Sequence, residues 1–291
     1  MRIALTGADG QLGTQLQHTL KGDVIPLGHD QLDISDAETV ETVLASEKPD
    51  LVINAAAYNL VDSAEEEPQV AYRHNALGPR NLALSCEKRE IPLLHFSSDY
   101  VFSGREGETG KEVQRERPYL ETDRPSPESA YAVSKLAGEF FVRTLCSRHF
   151  VLRTCGLYGR TRQQGTGNFV ETMLRLGTER DELTIVNDQC CTPTFCSDLA
   201  DAVVTLIETE AFGLYHATNA GSMTWYEFAV EIFRLSGIDV PVRPISSEQF
   251  GASACRPIYS VLNNAKLSSV IGRELPPWQD ALDRYLRQRD T

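Results

Sequence analysis

Apolar and polar positions follow two alternating rhythms along this chain. RIALTG (residues 2–7) is a short apolar run stopped by glycine, and QLGTQLQHTL (11–20) repeats its apolar positions at helical spacing. The pair recurs as DVIPLG (23–28), a helix from about Ser35 to Glu47 with Ser35 or Asp36 as its N-cap, and DLVINAA (50–56). A long helical stretch from Gln69 to Arg89 leads to PLLHFSS (92–98). A helix through Tyr131 precedes FVLRTCGLYG (150–159), and one near Asp198 to Glu208 precedes GLYHATN (213–219). Strands alternating with helices predict a parallel sheet wrapped on both faces, a doubly wound α/β fold. Residues 103–129, charged and rich in proline and glycine, break the rhythm, as lids and binding loops do. From about Gly221 short helical and strand signals mix with prolines, which suits a cap over the sheet's carboxyl edge.

Charge narrows the function classes. The 291 residues carry 28 basic and 41 acidic side chains, a formal net charge of -13. That balance leaves no electrostatic footprint for nucleic acid and repels anionic membranes. No apolar run reaches the roughly 18 residues of a membrane helix, and Met1-Arg2-Ile3 enters the first strand without a signal-peptide pattern. A soluble, cytoplasmic protein is expected. The seven cysteines (86, 146, 155, 190, 191, 196 and 255) form no CxxC pair, and no histidine stands near them at ligand spacing. They read as reduced thiols, including the cluster Cys190, Cys191 and Cys196, and no metal site is expected.

The glycines carry the first chemical signal. TGADGQLG (6–13) sets Gly7, Gly10 and Gly13 directly after a strand and at the opening of a helix. A turn without Cβ atoms lets the backbone approach a pyrophosphate, and the free N–H groups of the helix start favour negative charge. The second strand ends at Leu27-Gly28-His29, without the acidic residue that grips a ribose 2′-hydroxyl at that point, which favours NADPH or a site accepting NADH as well. In the following turn, LDISD (32–36), Asp33 and Ile34 are placed to meet an adenine by hydrogen bond and apolar contact.

Ligands of doubly wound sheets sit beyond the carboxyl ends of the strands. The third strand ends in Ala55, Ala56 and Ala57, small enough for a flat cofactor to lie close, and the fourth ends in Ser97-Ser98. SAYAVSKLAGE (129–139) holds Tyr131 and Lys135 four residues apart, on one face of a helix. A free phenol titrates near 10, and an ammonium about 4 Å away stabilises its anion by about 4 kcal/mol at an effective dielectric near 20. The pair therefore suits proton transfer, and Ser98 completes the set.

These motifs, with HNALGPRNLA (74–83), RPYLETDRPSPES (117–129), VNDQCCTPT (186–194), GLYHATNAGSMTWYEFA (213–229) and RPIYSVL (256–262), resemble the dTDP-4-dehydrorhamnose reductases, extended short-chain dehydrogenases/reductases, over nearly the whole chain. The resemblance implies a Rossmann-type nucleotide-binding domain (1–158, rejoined by about 191–220) and a smaller substrate-binding domain (159–190 and 221–291). It implies reduction of the C4 ketone of a dTDP-4-dehydro-6-deoxy sugar by NADPH, with dTDP-L-rhamnose as product. Tyr131 would be the proton donor, Lys135 the partner of the nicotinamide ribose and of the phenol, and Ser98 a hydrogen-bond donor to the carbonyl. Gly10, Gln11 and Leu12 would surround the pyrophosphate, Asp9 would be a further cofactor contact, and Phe96 would lie along the cofactor. Ser98, Asp99, Gly156 and Arg256 would meet the substrate, Arg256 as a fork on its diphosphate or as a surface ion pair. Gly156 stands where such reductases carry tryptophan, and Ser103 where they carry aspartate. The first departure opens a second reading, a non-catalytic NADP-binding regulator similar to the regulatory subunit of methionine adenosyltransferase; a nucleotide-sugar epimerase is a third. A homodimer is compatible with all three.

Overall fold

The computed structural model describes residues 1–106, 113–160 and 167–289. The remaining parts of the irregular 103–129 stretch, of the 159–190 segment and of the C-terminus lie outside the described residues. Six strands form one parallel sheet: β1 (Arg2–Thr6), β2 (Asp23–Leu27), β3 (Leu51–Asn54), β4 (Leu93–Ser98), β5 (His149–Thr154) and β6 (Gly213–His216), in the order β6-β5-β4-β3-β1-β2. The inner strands are buried on both faces because helices cover both. Pro26 is tolerated in β2 because that strand is an edge.

One face packs against α1 (Gln11–Thr19) and α6 (Cys196–Leu206), through Ile3, Leu5, Ile53, Leu94, Phe150 and Leu152. The other packs against α2 (Ala37–Glu47), α3 (Gly78–Lys88) and α4 (Ala130–Leu145), through Ala4, Val52, Leu93 and Val151. Of the two N-cap residues expected for α2, Asp36 is the cap: its carboxylate accepts from the backbone N–H groups of Glu38 and Thr39. The chain order turns back on itself between β1 and β3, so their carboxyl ends flank the crevice where such folds bind ligands.

The long helix expected over Gln69–Arg89 is interrupted. It runs as Pro68–Tyr72, a π-helical turn over Arg73–Leu77, and α3. Pro79 has no N–H for the carbonyl of Asn75, and that carbonyl is pressed against α4, where a Cβ on Gly138 would stand 2.2 Å from it. The irregular stretch also has regular structure, because Arg105–Glu106 pair antiparallel with Val113–Gln114.

A further apolar core joins α5 (Phe169–Glu179), α7 (Trp225–Ser236) and, beyond α8 (Ala265–Ile271), α9 (Trp278–Arg289), around Met173, Phe195, Phe228, Ile232, Leu282 and Tyr285. Helix α7 opens on a capping box of Thr224 and Glu227 and closes at Gly237 in the left-handed conformation. Thr194–Phe195 pair with Leu157–Tyr158, which stitches this layer onto the chain just past β5. No helix among the described residues is long and apolar enough to cross a membrane.

Candidate active site

The glycine turn fits a phosphate cradle. Gly7 leaves β1 with φ +65°, and a Cβ there would lie 2.5 Å from the amide nitrogen of Ala56; one on Gly13 would lie 2.1 Å from the carbonyl of Gly7. No larger residue fits either place. Gly10, at the N-cap of α1, provides no capping side chain, and Gly10, Gln11, Leu12 and Gly13 line a cavity of 350 Å³. The first N–H groups of α1 therefore remain available to an anion.

A second cavity, of 360 Å³, shares Gly10, Ala55, Ala56, Ala57 and Asn59 with the first, so the two form one groove along the sheet's carboxyl edge. His29, Asp33 and Ile34, which the sequence suggests for the ribose and adenine, line this end together with Asp9. His74 joins them, brought in by the π-helical turn: its ring stands edge-on to His29, with centroids 6.3 Å apart, and its Nδ1 is 3.9 Å from Oδ1 of Asp33. Distance along the chain hid His74 from the sequence reading. Among the described residues no lysine or arginine lines this end.

The other end is built on α4. Ser129 caps the helix by accepting from the Ala132 amide, which fixes its first turn and the buried stripe Tyr131, Ser134, Lys135, Gly138, Glu139 and Val142. Asn75 ties that stripe to the chain after β3: its amide donates to Ser134 Oγ at 3.0 Å and to the Tyr58 carbonyl at 2.9 Å, and its oxygen accepts from the Tyr58 N–H at 2.8 Å. Tyr131, Lys135, Ser98, Phe96 and Thr154 line the cavity together. Ser98 hydrogen-bonds the Tyr131 hydroxyl, accepts from the Tyr100 N–H at 3.1 Å and donates to Asp99 at 3.2 Å.

The proton affinities differ from those the spacing suggests. Lys135 Nζ donates to the Phe96 carbonyl at 2.7 Å, and burial pushes its pKa down to about 8 against the opposing pull of buried Glu139. Burial holds the Tyr131 phenol above its usual value, against the Ser98 hydrogen bond and with Asp99 and Cys155 adding to the rise. The ammonium expected to stabilise the phenolate is thus directed to a backbone carbonyl. The phenol keeps its proton at neutral pH.

Beyond Ser98 lies a buried polar knot. Asp99 accepts from Ser260 Oγ at 2.5 Å, and burial raises its carboxyl to about 6 despite hydrogen bonds from Ser260, Cys155 and Ser98. The Cys155 thiol contacts both Asp99 and Cys191, so Cys191 pairs across the fold rather than with Cys190 or Cys196. Arg256 forks onto Asp62 at 2.7 and 3.1 Å and reaches the Tyr100 hydroxyl, which combines the ion pair with a position near the site. Gly156 has φ +48°, and a Cβ there would lie 3.0 Å from Cη2 of Trp225. The indole of α7 thus already approaches the wall position.

Comparison with known proteins gives the geometry a family. The family model described as RmlD substrate binding domain matches residues 1–290. The chain belongs to this family. A dTDP-4-dehydrorhamnose reductase from Streptomyces griseus is 39% identical, across 97% of this chain and 91% of its own. The crystal structure of a dTDP-4-dehydrorhamnose reductase from Clostridium acetobutylicum superposes with TM-score 0.93 at 41% identity, covering both chains completely. Another, from Bacillus anthracis in complex with NADP, gives TM-score 0.91 at 40% identity over 99% of each chain. In this chain Gly156 lines the cavity with Tyr131, Cys155 acts on the phenol, and the Trp225 indole approaches Gly156.

Proposed function

We propose that the protein uses NADPH to reduce the C4 ketone of a dTDP-4-dehydro-6-deoxy sugar, dTDP-4-dehydrorhamnose foremost, to the corresponding alcohol. One observation carries the reading: a buried phenol, an ammonium and a serine hydroxyl converge at the far end of a groove that starts at a glycine cradle. The names of the relatives, one of them solved with NADP, support the same reaction.

The cradle fits a dinucleotide, because Gly7 and Gly13 leave the space that Cβ atoms would fill. When bound, the reduced nicotinamide supplies hydride to C4. Gly10, Gln11 and Leu12 would hold the pyrophosphate, and His29, Asp33 and Ile34 would hold the adenosine, with Ala55, Ala56 and Ala57 as its floor. Lys135 would use its remaining N–H donors on the nicotinamide ribose. Ser98 and Tyr131 would both donate to the ketone oxygen, and as negative charge grows there the phenolic proton would pass to it. Burial keeps the phenol protonated at neutral pH, so the proton is there to be given, and a developing alkoxide is a stronger base than a phenolate and can take it. Arg256, held in place by Asp62, would face the sugar nucleotide's diphosphate, and the layer of α5, α7 and α9 would cover the sugar.

The test is direct. Mixing the protein with NADPH and dTDP-4-dehydrorhamnose should consume NADPH absorbance and yield a dTDP-6-deoxyhexose. Binding of NADPH without consumption across the dTDP-4-keto-6-deoxy sugars would replace this reading with the non-catalytic one.

A further inference from the structure

Four buried side-chain polar groups among the described residues have no hydrogen-bond partner: Thr14 Oγ1, His95 Nε2, Thr154 Oγ1 and Tyr158 Oη. Of these, Thr154 alone lines the 350 Å³ cavity. A hydroxyl removed from water without a partner is unfavourable, so a site that keeps one has a use for it. Thr154 ends β5, directly beside Ser98 at the end of β4, and is 5% exposed. Its neighbour Cys155 is already engaged with Asp99 and Cys191, whereas the Thr154 hydroxyl, shielded from solvent on a residue that lines the cavity, has no partner.

Position along the groove identifies the occupant. The nucleoside end lies at β2, the glycine cradle follows β1, and Lys135 and Phe96 stand at β4. A dinucleotide laid from β2 across the cradle brings its far ring to the end of β5. Ser98 and Tyr131 already place two hydroxyls where the ketone oxygen would sit. The group still lacking a partner is the ring's carboxamide, whose carbonyl and amino groups can each pair with a hydroxyl that both accepts and donates. We infer that Thr154 Oγ binds the carboxamide of the nicotinamide and thereby sets the orientation of the ring that faces the substrate. The inference rests on the cofactor reading above.

The experiment compares wild type, Thr154→Val and Thr154→Ser for binding of NADPH and of 2′-phospho-ADP-ribose, which lacks the nicotinamide, together with melting temperatures without ligand. Valine keeps the shape and removes the unpartnered hydroxyl. Thr154→Val should therefore melt no lower than wild type, yet bind NADPH about tenfold more weakly, the worth of one neutral hydrogen bond. Its affinity for 2′-phospho-ADP-ribose should stay within about twofold of wild type, and Thr154→Ser should restore most of the NADPH affinity. Unchanged NADPH affinity in Thr154→Val would overturn the inference, and so would equal losses for both ligands or a lowered melting temperature without ligand. A raised KM for the sugar at unchanged NADPH affinity would also overturn it, and would move the hydroxyl's partner to the substrate. These binding measurements need no turnover, so a failure of the proposed reaction would appear separately, as wild type that binds NADPH without consuming it.

Discussion

The two ends of the groove have nearly equal volumes, 360 Å³ at the nucleoside end and 350 Å³ at the Tyr131 end, but opposite electrostatic character. At the nucleoside end His29 is exposed, Asp33 is half-buried and His74 is about a quarter exposed, so their fields are partly screened. At the Tyr131 end Tyr131, Lys135, Ser98, Asp99 and Thr154 are all at most 8% exposed, and burial alters the proton affinities of three of them. Recognition of a nucleoside needs shape and a few hydrogen bonds. Proton transfer needs groups whose affinities water has ceased to level.

The largest break in that comparison should come from Tyr131→Phe. Turnover should fall by about three orders of magnitude while NADPH affinity stays within about threefold, because only the proton is removed; steady-state rates and a binding titration check both halves. Lys135→Met should lower turnover by about two orders and weaken NADPH binding as well, since the ammonium is assigned to both. Wild-type kcat/KM should fall as pH rises through about 8, where Lys135 loses its proton, and that limb should vanish in the variant.

Asp99→Asn tests the burial argument through stability. The native protein keeps the Asp99 proton up to about pH 6, whereas an unfolded aspartate releases it near 3.9. Between those values the native state binds more protons, so wild-type stability declines as pH rises through the window and the deficit persists above it. The variant should escape that decline, gaining about 1–3 kcal/mol relative to wild type between pH 4 and pH 7 in urea melts. At the diphosphate side, Asp62→Asn should loosen the Arg256 fork and raise KM for the sugar nucleotide a few-fold at unchanged kcat. The smallest effect belongs to the exposed end: His29→Ala with His74→Ala should cost NADPH a few-fold in affinity, read by the same binding titration.

Most of the scaffold was legible because its signals are local. A strand, a glycine turn and a helix start stand together in residues 2–19, and the strand-end rule selects Ala55 to Ala57 and Ser98 without coordinates. Two local readings were incomplete for a shared reason. The helical stretch over Gln69–Arg89 takes a π-helical turn where the Asn75 carbonyl meets Gly138, and the Tyr131–Lys135 spacing places both side chains on one face without saying that the ammonium would turn to Phe96. Each outcome depends on an element distant in sequence. His74, Ser260 and Trp225 were missed on the same grounds, since each enters the site from another part of the chain.

The amino-acid sequence by itself determined the alternation of strands and helices, the glycine cradle and the presence of a phenol one helical turn before an ammonium, because each depends on neighbours within a few residues. Only the tertiary structure decided which groups lose water. That step raised the phenol and Asp99, lowered Lys135 and left the Thr154 hydroxyl without a partner. Desolvation depends on everything that packs around a side chain, and the packing comes from the whole chain at once.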